Sequence, residues 1–354
     1  MLPVHFTLLV DGISAFRTLF ERLEQAEHSI YIEMFIFADD KTGWDMALIL
    51  AKKAREGLDV KVMYDQIGTY YFSLFNWRAI TGRMALLRFL KTQGVQIVHA
   101  GEPNPFHFQL DHRKIIVIDS KEAFTGGMNI GDHYQFEWHD IFIHIREPLI
   151  AAGFERIFLA EWVDGEVSSY KLEWGNNHYD MLVTDFKQND IEEDLNKRIR
   201  SAKKNIFIEV PYITDIRLIR ALIDAKKRGI DVKVIVPKVS NHLITRLQHA
   251  VTVKWMRYFD IDIFIYGKTL NHLKVYLIDN EYVSLGSANA TYRSMKRNKE
   301  FNLGTNDMQI VNTVKEQLFE RDFKRSIRMR SIWENAGGCS FKINFSMCKG
   351  FLFD

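Results

Sequence analysis

The sequence predicts an α/β protein of two similar domains, an internal repeat whose active site lies where the two domains meet. Three observations predict it. A βαβ order occurs twice, a six-residue phrase is shared by both occurrences, and a set of polar residues is doubled at identical spacing.

In the first half, residues 13–28 place Phe16, Leu19, Phe20 and Leu23 at three- and four-residue spacing, one face of an amphipathic helix. Ile30 to Phe37 is apolar with Glu33 as its sole charge, which suits a buried strand. A helix over Trp44–Arg55, closed by Gly57, and a strand over Val60–Tyr64 complete the unit. The second half repeats the order: helix Ile191–Lys204, strand Ile206–Ile213, helix Ile216–Lys227, Gly229, strand Val232–Val236. Residues 57–62 and 229–234 both read Gly, apolar residue, Asp, Val, Lys, Val. The expected domains span 1–165 and 180–335. The junction falls near 164–182, where Gly165, Ser168, Ser169, Gly175, Asn176 and Asn177 cluster, and a tail runs over 336–354.

The 354 residues are 47% hydrophobic and 26% charged, with 20 Gly, 6 Pro and 2 Cys, which excludes disordered, collagen-like and disulfide-framework classes. A net charge of +2 supplies no strong field for nucleic acid. Cys339 and Cys348 read as free thiols of a reducing compartment. Apolar runs such as Ile115–Ile118 fall far short of the roughly 20 residues that cross a bilayer. The N-terminus lacks a secretory pattern. A cytoplasmic protein is expected, with peripheral membrane attachment left open.

The chemistry resides in the doubled set. His112, Lys114 and Asp119 spell His-x-Lys-x4-Asp, as do His272, Lys274 and Asp279. Gly126 and Gly286 follow each His by 14 residues, Asn129 and Asn289 by 17, and the acids Asp140 and Glu300 by 28, so both sets keep the same offsets between His112 and His272. The residues between them have diverged while His, Lys and Asn persist, which favours function over mere duplication.

In a strand, residues i and i+2 face one side, so each His and Lys project together. A Lys ammonium and an Asn amide suit the nonbridging oxygens of a phosphoryl group, and a nearby Gly lets backbone approach closely. If the repeats bring their strands together, one imidazole attacks phosphorus while the other protonates the leaving alkoxide and later activates the acceptor. Asp140 and Glu300 are candidates to accept from the far ring nitrogens and set tautomer. No metal is expected here, because an ammonium on the same face repels a divalent ion.

These residues resemble the phospholipase D superfamily, whose signature is the doubled His-x-Lys-x4-Asp motif; the resemblance runs from about Asp11 to Asp322. HRKIIVID with TGGMNIGDHY and EWHD, and GSANATYRS with NKEF, look like its bacterial cardiolipin synthase branch. The resemblance implies a phosphatidyltransferase that takes a phosphatidyl group onto His and passes it to an alcohol, typically making cardiolipin from two phosphatidylglycerols, without metal or other cofactor. It carries His112, Lys114, Asn129, His272, Lys274 and Asn289 into the site, with Asp119 and Asp279 in the catalytic set as residues that support the motif and need not touch the substrate. His112 is favoured as nucleophile. The branch usually bears membrane-spanning N-terminal helices, so contact with the inner face of the membrane is expected to be peripheral. Where the branch commonly has Asp after the second Asn, this chain has Ala290-Thr291.

Two surfaces are candidates for that contact: the five aromatics within residues 70–77, and the basic run Lys324, Arg325, Arg328 and Arg330. The competing readings are a phospholipase D hydrolase, a nuclease of the same superfamily, and a non-catalytic lipid-binding scaffold. The acceptor, whether water, glycerol or a second phospholipid, and the oligomeric state leave no signature in the sequence.

Overall fold

A computed structural model describes residues 5–71, 77–100, 109–238 and 243–329. The aromatic side chains of 70–77, Arg330, both cysteines and the tail lie outside the described residues.

The first half forms a seven-stranded sheet from β1 (Phe6–Val10), β2 (Ser29–Met34), β3 (Asp59–Asp65), β4 (Gln96–Ala100), β5 (Lys114–Ile118), β6 (Glu122–Gly126) and β7 (Ile141–Ile145), in the order β1-β7-β6-β5-β2-β3-β4. The second half forms a nine-stranded sheet from β8 (Tyr170–Trp174), β9 (Asn177–Thr184), β10 (Asn205–Glu209), β11 (Asp231–Pro237), β12 (Asp262–Tyr266), β13 (Val275–Ile278), β14 (Tyr282–Gly286), β15 (Glu300–Thr305) and β16 (Ser326–Arg328). Its order is β16-β12-β11-β10-β13-β14-β15-β9-β8. In each sheet three strands are parallel, β2-β3-β4 and β10-β11-β12, and an antiparallel meander of the motif strands joins them. The central strands β2 and β10, buried along nearly their whole length, read as continuous apolar runs, which is why the sequence shows them.

The helices fall close to expectation. Gly12–Glu24 buries Phe16, Leu19 and Leu23, and Lys41–Arg55 starts three residues early because the Asp40 carboxylate accepts from Gly43 N at 3.0 Å. Ile216–Lys227 matches its expected span. The stretch 164–182, read as a junction, instead carries the β8-β9 hairpin, with Gly175 at φ 65 in its turn. Turn residues mark a tight hairpin as readily as a linker.

One core packs between the sheets and draws on both halves. Phe154, from the helix Pro148–Trp162, meets Phe301 of β15 at 5.0 Å between ring centroids, and Ile115, Val117, Val275 and Leu277 are buried in the same cluster. The motif strands β5 and β13 therefore lie at the centre of the molecule.

Candidate active site

His112 and Lys114 stand at the start of β5, and His272 and Lys274 just before β13. Short parallel bridges tie the halves at these points. His112 N donates to Lys299 O at 2.8 Å and His272 N to His139 O at 2.9 Å, so the residue before each acid binds the backbone of the other half's histidine.

That exchange crosses the acids. Glu300 Oε2 is 2.9 Å from His112 Nδ1, and Asp140 Oδ2 is 2.7 Å from His272 Nδ1. All four side chains are buried. Each carboxylate accepts the hydrogen bond that its ring's Nδ1–H donates, which leaves Nε2 with the lone pair on the cavity side. Both histidines, Asn129 and Asn289 line one cavity of about 650 Å³, walled by Phe35, Ile36, Ile216, Val251, Trp255 and Tyr292.

The electrostatics of the two pairs differ. Burial pushes the Asp140 carboxyl up to about 7, against the pull of Lys274 and Lys114. Glu300 is held below the usual carboxylate range: burial opposes it, but the charges of His112 and Lys114 and the Ser287 hydroxyl outweigh that cost. At the position matching Ser287 stands Gly127, where a Cβ would come within 2.2 Å of Asp140 Oδ1. Burial lowers both histidines, and Lys274 and Lys114 press His272 well down. Burial also brings Lys274 down to about 7 and Lys114 to about 8. The Lys274 ammonium lies 3.0 Å from His272 Nε2, and Lys114 Nζ donates to His112 O at 2.6 Å.

Asp119 and Asp279 lie beyond the opposite ends of β5 and β13, where they support the motif from a distance. Asp119 accepts from the backbone N–H groups of Glu27, His28 and Ser29 at 2.7–2.9 Å, and Asp279 does the same for Lys203, Lys204 and Asn205. Both adopt positive φ, 54 and 56, with positive φ also at Ser120 and Asn280, as a two-residue hairpin turn requires. Gly126 and Gly286 bring strands together, not substrate: a Cβ there would lie 2.1 Å from Ile141 O and 2.2 Å from Phe301 O.

Spacing gave no sign of the aromatic frame. Phe35 meets the His112 ring at 4.7 Å between centroids, and Trp138 and Tyr134 meet His272 at 5.3 and 5.5 Å. The adjacency of Tyr134 and Trp138 to the Asn129–Asp140 run was the available signal.

Two histidines with buried carboxylate partners, two lysines and two asparagines on a duplicated α/β fold define a phospholipase D-type enzyme. The model of the family described as cardiolipin synthase, PLD-like domain, matches residues 19–162 and 195–323, and the chain belongs to that family. It is 30% identical over 347 residues to a probable cardiolipin synthase of Bacillus subtilis, covering 92% of this chain and 67% of that relative. A cardiolipin synthase of Listeria monocytogenes is 28% identical, with 92% and 72% covered. The fold is similar to the crystal structure of a phosphatidylserine synthase of Haemophilus influenzae, with a TM-score of 0.74 at 16% identity, covering 94% of this chain and 90% of that one.

Proposed function

We propose that the chain is a phosphatidyltransferase that makes cardiolipin and glycerol from two phosphatidylglycerols. The observation that carries this reading is the crossed pair of histidines, each with a buried carboxylate on Nδ1, opening on one largely apolar-walled cavity. His112 Nε2 attacks the phosphorus of the donor, and the bond from phosphorus to the glycerol oxygen breaks as His272, which takes a proton from solvent once the anionic phosphate of the donor offsets the lysine charges beside it, passes that proton to the leaving oxygen. The phosphohistidine ring carries positive charge, and Glu300, the acid already held ionised, neutralises it; this favours His112 as nucleophile. His272 then takes the proton of the acceptor hydroxyl, which attacks phosphorus and releases His112. Lys114, Lys274, Asn129 and Asn289 hold the nonbridging oxygens.

In this reading the two phospholipase D-like units are 1–165 and 180–335, with the β8-β9 hairpin leading into the second, and the protein works peripherally on the inner face of the membrane. Among the described residues no helix is long and apolar enough to cross a membrane. The exposed Ile327 beside Lys324 and Arg325 supplies an apolar and basic edge for anionic headgroups.

Lipid mass spectrometry after incubation with phosphatidylglycerol vesicles tests the reading. Cardiolipin and glycerol from the intact protein, and neither from His112→Ala, supports it. Phosphatidic acid as the sole product makes the enzyme a hydrolase, and no lipid product removes the lipid assignment.

A further inference from the structure

Behind each catalytic pair lies a buried acidic cradle, and the two cradles are filled differently. In the first half Glu33 and Glu161 enclose the guanidinium of Arg113, with Nε 2.9 Å from Glu33 Oε1 and Nη2 2.7 Å from Glu161 Oε2. Lys299, from the other half, also pairs with Glu161. In the second half Glu209 occupies the register of Glu33: Glu33 faces Ile115 across the sheet, and Glu209 faces Val275, the residue that matches Ile115. Asp322 plays the part of Glu161, pairing with His139, the residue that matches Lys299. The residue that matches Arg113 is Leu273, so the covalently supplied cation is replaced by an apolar side chain.

What remains is a set of donor atoms gathered round His139, whose imidazolium, held charged up to about 10 against the cost of burial by its bonds to Asp11 and Asp322, stands where the first half has a covalently supplied arginine. His139 Nε2, a Glu209 carboxylate oxygen and an Asp322 carboxylate oxygen lie within 4.8 Å of one another, and all three side chains are buried. Glu209 Oε2 is buried and has no hydrogen-bond partner. Its other oxygen is fixed by Asn271 Nδ2 at 2.6 Å. His139 Nδ1 is 2.5 Å from Asp11 Oδ1 and Nε2 is 2.9 Å from Asp322 Oδ2, so both ring N–H groups donate to carboxylates, and a metal ion at Nε2 takes the place of that proton, which is released to solvent. A carboxylate that fixes the outer nitrogen of a histidine whose inner nitrogen faces more carboxylates is the arrangement that orients a metal ligand. Arg321 Nε reaches the other Asp322 oxygen at 3.4 Å, and its charge also acts on Glu209.

We propose that His139, Glu209 and Asp322 bind a single divalent first-row cation, zinc by the character of the donors, with Asp11 orienting the histidine. One imidazole and two carboxylates match the ligand sets of zinc, and shifts of about an ångström bring the donors to its usual distances of about 2.0–2.2 Å. The half-exposed Asp11 side chain marks the route in. The site touches no substrate group. It lies one residue from each member of the His272–Asp140 pair, since His139 precedes Asp140 and Asn271 precedes His272. An ion there therefore ties the first half to the second behind one catalytic pair, as Arg113 and Lys299 do behind the other.

The test is isothermal titration of the chelator-stripped, metal-free full chain with zinc chloride, alongside its thermal unfolding with and without zinc. The intact protein binds one equivalent and unfolds at higher temperature with zinc present. Asp11→Asn weakens binding by about 10–100-fold, the loss typical of an orienting partner. Glu209→Gln, which keeps shape and burial, weakens it by at least about tenfold. Leu273→Arg, which copies the first half's arrangement, abolishes zinc binding while the protein remains folded. Absence of saturable binding overturns the proposal, as does binding that persists unchanged in both Glu209→Gln and Leu273→Arg.

Discussion

His112 is held by Glu300, a carboxylate that arrives from the other half of the chain, with Oε2 2.9 Å from Nδ1. Asp140 reciprocates on His272 at 2.7 Å. Neither half has a complete histidine–acid pair of its own, so docking of the halves and assembly of the site are one event.

Removing the charge of either crossed acid therefore acts on the partner half's histidine. Glu300→Gln keeps the shape but loses the carboxylate that accepts from His112 Nδ1 and that, in the proposed mechanism, neutralises the covalent ring. The expected loss in kcat is on the order of 10³–10⁴, with the circular dichroism spectrum unchanged. Activity within threefold of the intact protein would show that Glu300 has no such part.

The lysines set a pH limit. Burial holds Lys274 at about 7 and Lys114 at about 8, far below an exposed amine, so their charged forms are present below those values and lost above them. In the proposed mechanism the charged forms hold the phosphate, and kcat/KM, which reports the free enzyme, is expected to fall as pH rises through 7 to 8. Lys274→Arg keeps its charge at every accessible pH and moves its part of that limb upward. An unmoved limb in a folded, active variant would assign it to another group.

Gly127 is a contact requirement, not a flexible hinge. A Cβ at this position would lie 2.2 Å from Asp140 Oδ1 and 2.8 Å from its Cγ, so Gly127→Ala displaces the acid from His272. Activity is expected to fall by about 10²-fold or more, as for a displaced catalytic group, with little change in lipid binding to vesicles. Full activity would mean that Asp140 relaxes without consequence.

Much of this was legible in the sequence. The repeat, the motif strands and all four members of the crossed pairs stand at fixed offsets, because His, Lys, Asn, Asp and Glu in a doubled pattern have no packing explanation. The crossing itself was hidden: an offset of 28 residues names the acid but not the histidine it serves, which depends on how two sheets dock. The sequence reads Asp119 and Asp279 as supports of the motif but hides how they support it: each accepts from three backbone N–H groups at the far end of its strand, partners that are distant in sequence. The hairpin β8-β9 was obscured by its own turn, and the exchange of Arg113 for Leu273 has meaning only beside the acids that surround both.

The structural reading of Asp119 is itself testable. Asp119→Ala removes a cap on three N–H groups and places a Cβ residue without side-chain compensation at positive φ. The expected cost is about 0.5–2 kcal/mol in chemical denaturation, and kcat of the folded protein stays within twofold. A collapse of kcat without loss of stability would give Asp119 a direct part in the chemistry.

The central claim is that His112 bonds to phosphorus while His272 handles the protons. A phosphatidyl ester of p-nitrophenol isolates the two roles, because its leaving group needs no acid. His272→Ala mixed with this ester is expected to release one equivalent of p-nitrophenolate in a burst and then stop, with the phosphatidyl group on the peptide that carries His112. Steady turnover without a burst, or the group found on any other residue, would contradict the account.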